Sequence, residues 1–238
     1  MNPANLLGLD YRKAPPVPVA GLRLIDCHTH LRAGEPAWLK PFFEAADLYG
    51  VEKVLSMTPI SAVPAVREFA GRRVQFIAVP DYRQFERTAA FQRQWQGDIE
   101  RFAKLGARIC KFWAAPRLLG EHGLTLKDPW FRPIIDAARS AGLAFMVHVG
   151  DPDLWYATRY ADASRYGTKA EAHRQLEWFA DYVAPAPVIG AHFLGHPENL
   201  DHVESLLQRF DNLLLDTSAT KWIAREISRQ QADRVRGF

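Results

Sequence analysis

The chain has 238 residues, 48% hydrophobic and 24% charged, which is enough apolar material for one full-sized core. Its 30 basic and 27 acidic residues leave a formal charge of +3 with no basic run, which argues against nucleic acid or a membrane surface as partner. No stretch approaches eighteen apolar residues, the N-terminus lacks a cationic start before an apolar segment, and Cys27 and Cys110 sit in strand-like runs as buried, reduced thiols; the expected location is the cytoplasm.

Residues 1–21 are Pro-rich and aperiodic and read as an extended leader; residues 22–238 read as a single domain. Within it, β-rich runs occur near 22–27, 52–57, 74–79, 107–112, 143–149, 187–192 and 212–216. Amphipathic segments near 36–49, 61–70, 88–105, 130–141, 169–183, 197–210 and 219–236 alternate with them. This alternation predicts right-handed βαβ units and a parallel sheet. Gly50, Gly106 and Gly142 follow helical segments and directly precede strands, as short αβ connections require. The connections leaving strands four and five, 113–129 and 150–168, are longer, which places the functional surface at the C-terminal strand ends. A doubly wound sheet would carry a Gly-rich phosphate turn after strand one, where this chain has Asp-Cys-His-Thr-His. A barrel is therefore the expected architecture.

Alternation along a strand predicts that Asp26, His28 and His30 project to one face while Cys27 and Thr29 face the helices. His148 ends strand five and His192 ends strand six, so four of the eight histidines sit at C-terminal strand ends. Imidazoles so placed suit a divalent cation, zinc first, with manganese or iron as alternatives. A catalytic site also needs a base outside the coordination sphere, and His192 is the natural choice. His122, His173, His196 and His202 fall in loops or on helical faces and are expected to be solvated.

The segments LIDCHTH, MVHVGDP, VIGAHFLGHPEN and LLLDTSA, in that order, resemble the amidohydrolase superfamily, and more narrowly its branch containing the aminocarboxymuconate-semialdehyde decarboxylase type. The resemblance runs from about residue 22 to the C-terminus. It implies an α/β fold, a (β/α)8 TIM-like barrel, with the metal held by His28, His30 and His148. His192 would then be an acid/base beside the metal or an additional ligand. It further implies metal-dependent hydrolysis of an ester, lactone or amide, with non-oxidative decarboxylation of an aromatic or muconic acid as the alternative.

The superfamily pattern ends in a strand-eight aspartate, whereas this sequence supplies seven βα units, so the expectation is a barrel cut short before strand eight. A truncated, catalytically impaired metal-binding protein is accordingly a third reading. Asp216 ends strand seven; the resemblance makes it a site-lining residue rather than the metal's carboxylate. Lys111 lies near the end of strand four with Trp113 on the same face. In binuclear members a strand-four lysine is carboxylated and bridges two metals; the plainer role is contact with a substrate anion. Arg117 and the 150–168 loop, with Trp155, Tyr156, Arg159 and Tyr160, are expected to overhang the mouth and to suit a small carboxylated substrate. Self-association is left open.

Overall fold

The structure, a computed structural model, describes residue 13, residues 23–32 and residues 36–218. The expected leader, apart from residue 13, and the last amphipathic segment lie outside the described residues. Seven strands are present: β1 (Leu24–Thr29), β2 (Val51–Ser56), β3 (Val74–Phe76), β4 (Ile109–Trp113), β5 (Ala144–His148), β6 (Val188–Gly190) and β7 (Leu213–Leu215). Each falls where the β-rich runs predict it. Every pairing is parallel, in the order β1-β2-β3 and β4-β5-β6-β7. The two sheets join just past β3, where the Ala78 amide donates to the Ile109 carbonyl and the Lys111 amide to the Ala78 carbonyl, both at 2.8 Å. Strand order thus follows chain order without reversal. A doubly wound sheet reverses direction at its centre, so this order belongs to a barrel.

The apolar residues form two separate layers, as a barrel wall demands. Met57, Ile77, Val79, Ile109, Met146 and Ala191 fill the inside. On the other face Phe112, Phe145, Val147 and Val188 pack against helices. The principal helices are α1 (Pro36–Leu48), α2 (Val63–Ala70), α3 (Ala89–Lys104), α4 (Pro116–His122), α5 (Arg132–Ser140), α6 (Asp153–Ala157), α7 (Ala163–Tyr166), α8 (Lys169–Val183) and α9 (Leu200–Arg209). Three of these, α4, α6 and α7, lie in the long connections that the sequence left as loops. The other six match amphipathic segments. Thr88 caps α3 by accepting from the Phe91 amide, and Thr168 with Glu171 forms a reciprocal capping box on α8. The three αβ glycines have φ of 69° at Gly50, 88° at Gly106 and 69° at Gly142, the left-handed exits expected of them.

The outer layer is aromatic. Trp95 and Phe102 of α3 and Phe179 of α8 are almost wholly buried against the strand residues Phe112 and Phe145. Burial of each such side chain contributes about 1.5–3 kcal/mol, which anchors the helices and fixes where the strands end. Among the described residues β1 and β7 share no backbone pairing; side chains at their C-terminal ends span the gap instead. No helix among the described residues is long and apolar enough to cross a membrane.

Candidate active site

A cavity of about 460 Å³ opens at the C-terminal strand ends. His28, His30, His148 and His192 line it together with Lys111, Trp113 and Arg117. The ring centroids of His28 lie 5.6 Å from those of His30 and 4.7 Å from those of His192, and His148 stands 4.4 Å from His192. Ends of β1, β4, β5 and β6 therefore converge, which only a curved wall allows.

Their placement has local causes. β1 bulges against β2 between Asp26 and Thr29. Asp26 sits in register with Val54, a member of the helix-facing layer, and its carboxylate accepts from the His28 amide at 3.0 Å. The expectation that Asp26 shares a face with His28 and His30 fails because the bulge resets the alternation. At β6 the chain turns abruptly: His192, Phe193 and Leu194 have φ of 56°, 56° and 58°, followed by Gly195 at 67°. Three consecutive non-glycine residues in the left-handed region cost of order 1–3 kcal/mol each, a concentration typical of functional sites. The turn is held by the Phe193 amide donating to the Asp216 carbonyl and the His192 amide to the Asp216 carboxylate, both at 2.9 Å.

Asp216 is buried behind the histidines and does not line the cavity. Its other carboxylate oxygen accepts from His28 Nδ1 at 2.7 Å. Ser218 Oγ lies 2.7 Å from His192 Nδ1 and 3.0 Å from His28 Nδ1, and the hydroxyl also donates to Asp216. Burial alone would raise the Asp216 pKa, but the hydrogen bonds from His28, Ser218 and the His192 amide hold it well below the usual carboxylate range. Burial, followed for His192 by the neighbouring His148 and Lys111, pushes both His28 and His192 down, which favours the neutral rings. Lys111, 3.5 Å from His28 Nε2, is pushed down to about 7 by burial against the opposing pull of Asp216. His148 Nε2 meets Asp151 at 3.2 Å, and Tyr160 donates to the same carboxylate at 3.1 Å.

These contacts leave His28 Nε2 and His148 Nδ1 without an oxygen partner among the described residues. An imidazole that gives one nitrogen to a carboxylate and turns the other away from it has the arrangement of a metal ligand, although at His28 that second nitrogen faces Lys111 Nζ at 3.5 Å. The ligand atoms of His28, His192 and Asp216 lie within 4.8 Å of one another; His30 and His148 fall outside that tighter group.

Other parts of the rim differ from expectation. Trp155, Tyr156, Arg159 and Tyr160 do not line the cavity, because the 150–168 loop folds into α6 and α7 and packs on itself, with Arg159 stacked 4.3 Å over Trp155. The segment after β3, with Asp81, Tyr82, Arg83 and Phe85, takes that place along with Arg32. His122 also lines the cavity, its ring 4.7 Å from Phe85, rather than standing in solvent. His173 is buried as well, beside His196 and His202. Ser218, Asp151 and the residues after β3 were not singled out from the sequence: one short loop serine or carboxylate carries no periodic signal.

No family model matches the chain, and no curated protein matches it by sequence. Among solved structures, a probable 2-pyrone-4,6-dicarboxylic acid hydrolase from Acinetobacter baumannii, with citric acid bound, aligns at a TM-score of 0.52 and 12% identity, over 88% of this chain and 80% of that one. The chain shares the βα-barrel fold of that protein. Two 5-carboxyvanillate decarboxylases align at 14% identity each. The one from Sphingomonas paucimobilis has a TM-score of 0.46 over 87% of this chain and 85% of that one. The other, from Novosphingobium aromaticivorans and complexed with manganese and 4-hydroxy-3-methoxy-5-nitrobenzoic acid, has a TM-score of 0.45 over 83% and 72%.

Proposed function

We propose that the chain is a metal-dependent hydrolase acting on an ester, lactone or amide of a small carboxylated molecule. The observation that carries this reading is the convergence of His28, His30, His148 and His192 on one cavity, with Asp216 and Asp151 each holding one nitrogen of a histidine. We assign the cation, zinc first and manganese or iron as alternatives, to His28, His30 and His148. When bound, such a cation supplies Lewis acidity and lowers the pKa of water at its open position.

The chain's own residues supply the rest. Ser218 donates to Asp216, so its oxygen accepts from His192 Nδ1, which leaves His192 Nε2 as a bare base facing the cavity. His192 can take a proton there and return it to the leaving group. Three arginines, Arg32, Arg83 and Arg117, and the partly charged Lys111 line the cavity with two carboxylates, Asp81 and Glu121, of which Asp81 pairs with Arg83 and Glu121 with Arg117. The surplus positive charge suits a substrate bearing carboxylates, and Trp113 offers a flat apolar wall. Cys27 and Cys110 are not joined in a disulfide, which suits the cytoplasmic location we propose.

The test is to load the protein with zinc or manganese, count bound metal, and assay hydrolysis of 2-pyrone-4,6-dicarboxylate and simpler carboxylated lactones. His192→Asn should keep the metal and lose at least ~10²-fold in kcat, the usual share of an acid/base group. Loss of the metal in that variant would make His192 a ligand instead. Carbon dioxide release without net water uptake would replace hydrolysis by decarboxylation.

A further inference from the structure

A second group of histidines lies away from the mouth, on the helical side of the β6 turn. His173 comes from α8, His202 from α9, and His196 from the chain between them. Each offers a ring nitrogen, and the three lie within 4.8 Å of one another. Ring centroids are 4.7 Å apart for His173 and His202, 5.0 Å for His173 and His196, and 5.5 Å for His196 and His202.

The hydrogen bonds decide how these rings are presented. His173 Nε2 sits 3.1 Å from the Leu194 carbonyl, which can only accept, so that nitrogen carries the proton. The neutral ring then shows a bare lone pair at Nδ1, and His202 Nε2 stands 2.6 Å from it. A backbone carbonyl fixing the outer nitrogen of a buried imidazole is the usual support of a metal-binding histidine. His196 Nδ1 is buried and has no partner. A simple hydrogen bond from His202 to His173 would satisfy that pair and leave His196 orphaned, at a cost of about 1–3 kcal/mol. One cation would take up all three rings once His173 Nδ1 and His202 Nε2 part from 2.6 Å to the ~3.3 Å that two nitrogen ligands of a tetrahedral zinc require. A carboxylate is within reach: Asp153 stands 4.0 Å from His196 Nε2, although it and Glu198 are also paired to the cationic Lys169, at 2.5 and 3.3 Å, whose charge a bound cation must outweigh.

We infer that His173, His196 and His202 form a second transition-metal site, structural in role and separate from the barrel mouth, that takes a zinc-class cation. His196 and His202 lie close together in sequence and His173 comes from α8, an all-imidazole set suited to zinc, with Asp153 beside His196 as the carboxylate to close the fourth position. The site fastens the left-handed turn to α8 and α9: Leu194, whose carbonyl orients His173, lies two residues from His192, and His196 follows Gly195 directly. A cation bound there holds the segment that presents His192 to the cavity.

The experiment uses the full chain stripped of metal and titrated with Zn²⁺ alone, with bound zinc counted after dialysis and thermal unfolding followed in parallel. The unaltered chain should bind two equivalents. The mouth variant His30→Ala/His148→Ala should keep one, with a Tm that rises on adding zinc. Adding His196→Gln or His202→Asn to it should abolish both the zinc and the rise. A single equivalent in the unaltered chain that disappears in the mouth variant overturns the second site and leaves the mouth standing. A single equivalent that survives in the mouth variant but not with His202→Asn supports the second site and overturns the mouth ligands. Zinc content unaffected by both His196→Gln and His202→Asn overturns the proposal, and the count on the unaltered chain needs no variant to fold.

Discussion

At His28 the ring is fixed by a group that never reaches the cavity. Asp216 takes Nδ1 at 2.7 Å and so commits Nε2 to the mouth. Asp216→Asn should therefore weaken metal binding about 10–100-fold, measured by competition with a chromophoric chelator, and an unchanged affinity would remove Asp216 from its positioning role. Lys111 gives a pH signature in the metal-free chain. Its folded pKa of about 7 lies below the unfolded value near ~10.4, so between these limits the unfolded chain binds the extra proton and stability rises with pH. Lys111→Met should be more stable than the parent below about pH 7, with the gain fading toward about pH 10, in urea midpoints taken across that range. An offset that does not change with pH would show that Lys111 is not desolvated as described. The four strand-end histidines were readable from sequence because each closes an apolar run. Asp216 was readable as a strand end but not as the partner of His28, since that contact joins residues 188 positions apart. His173 is buried and His196 and His202 half-buried beside it, where the sequence suggested solvated rings, because each alone looks like a polar residue on a helix or loop.

The element that carries most of the site's precision is the run from His192 to Gly195. Gly195 has φ of 67°, and a Cβ there would stand 2.3 Å from the Gly150 carbonyl carbon. Gly195→Ala should cost about 1–3 kcal/mol, a lowered Tm read by thermal unfolding, because both the backbone angle and the close approach to Gly150 oppose it. A neutral result would mean the turn can relax without the His173 and Asp216 hydrogen bonds. At His192 itself the left-handed geometry restricts replacement: Asn and Gly accept φ near 56°, whereas Val or Ile would strain the turn before any chemistry is lost. Asn is thus the replacement that separates the ring's chemistry from the backbone's shape. The strand and helix pattern was legible because periodicity of 2 and 3.6 is local. The left-handed run was not, since nothing in His-Phe-Leu announces it and only the surrounding hydrogen bonds enforce it.

For the molecule as a whole, strand order in chain order and two apolar layers make the barrel. A bound cation should stabilise it by mass action: zinc at 100-fold its Kd adds about 2.7 kcal/mol, and a chelator should lower the Tm accordingly. A Tm indifferent to chelation would mean that the folded chain holds no metal. The sequence conveyed the sequential order through its regular βα alternation, but it gave no view of how the first and last described strands meet. They meet at the site: His28 of β1 and the residues following β7, Asp216 and Ser218, are joined by the same hydrogen bonds that orient the imidazoles. Catalytic groups in most enzymes detract from stability, so that removing them firms the fold. Here the polar network doubles as a clasp across the seam. Substitutions at His28, Asp216 or Ser218 should loosen the wall as they impair the chemistry, so a search for stabilising changes would find none at these three positions.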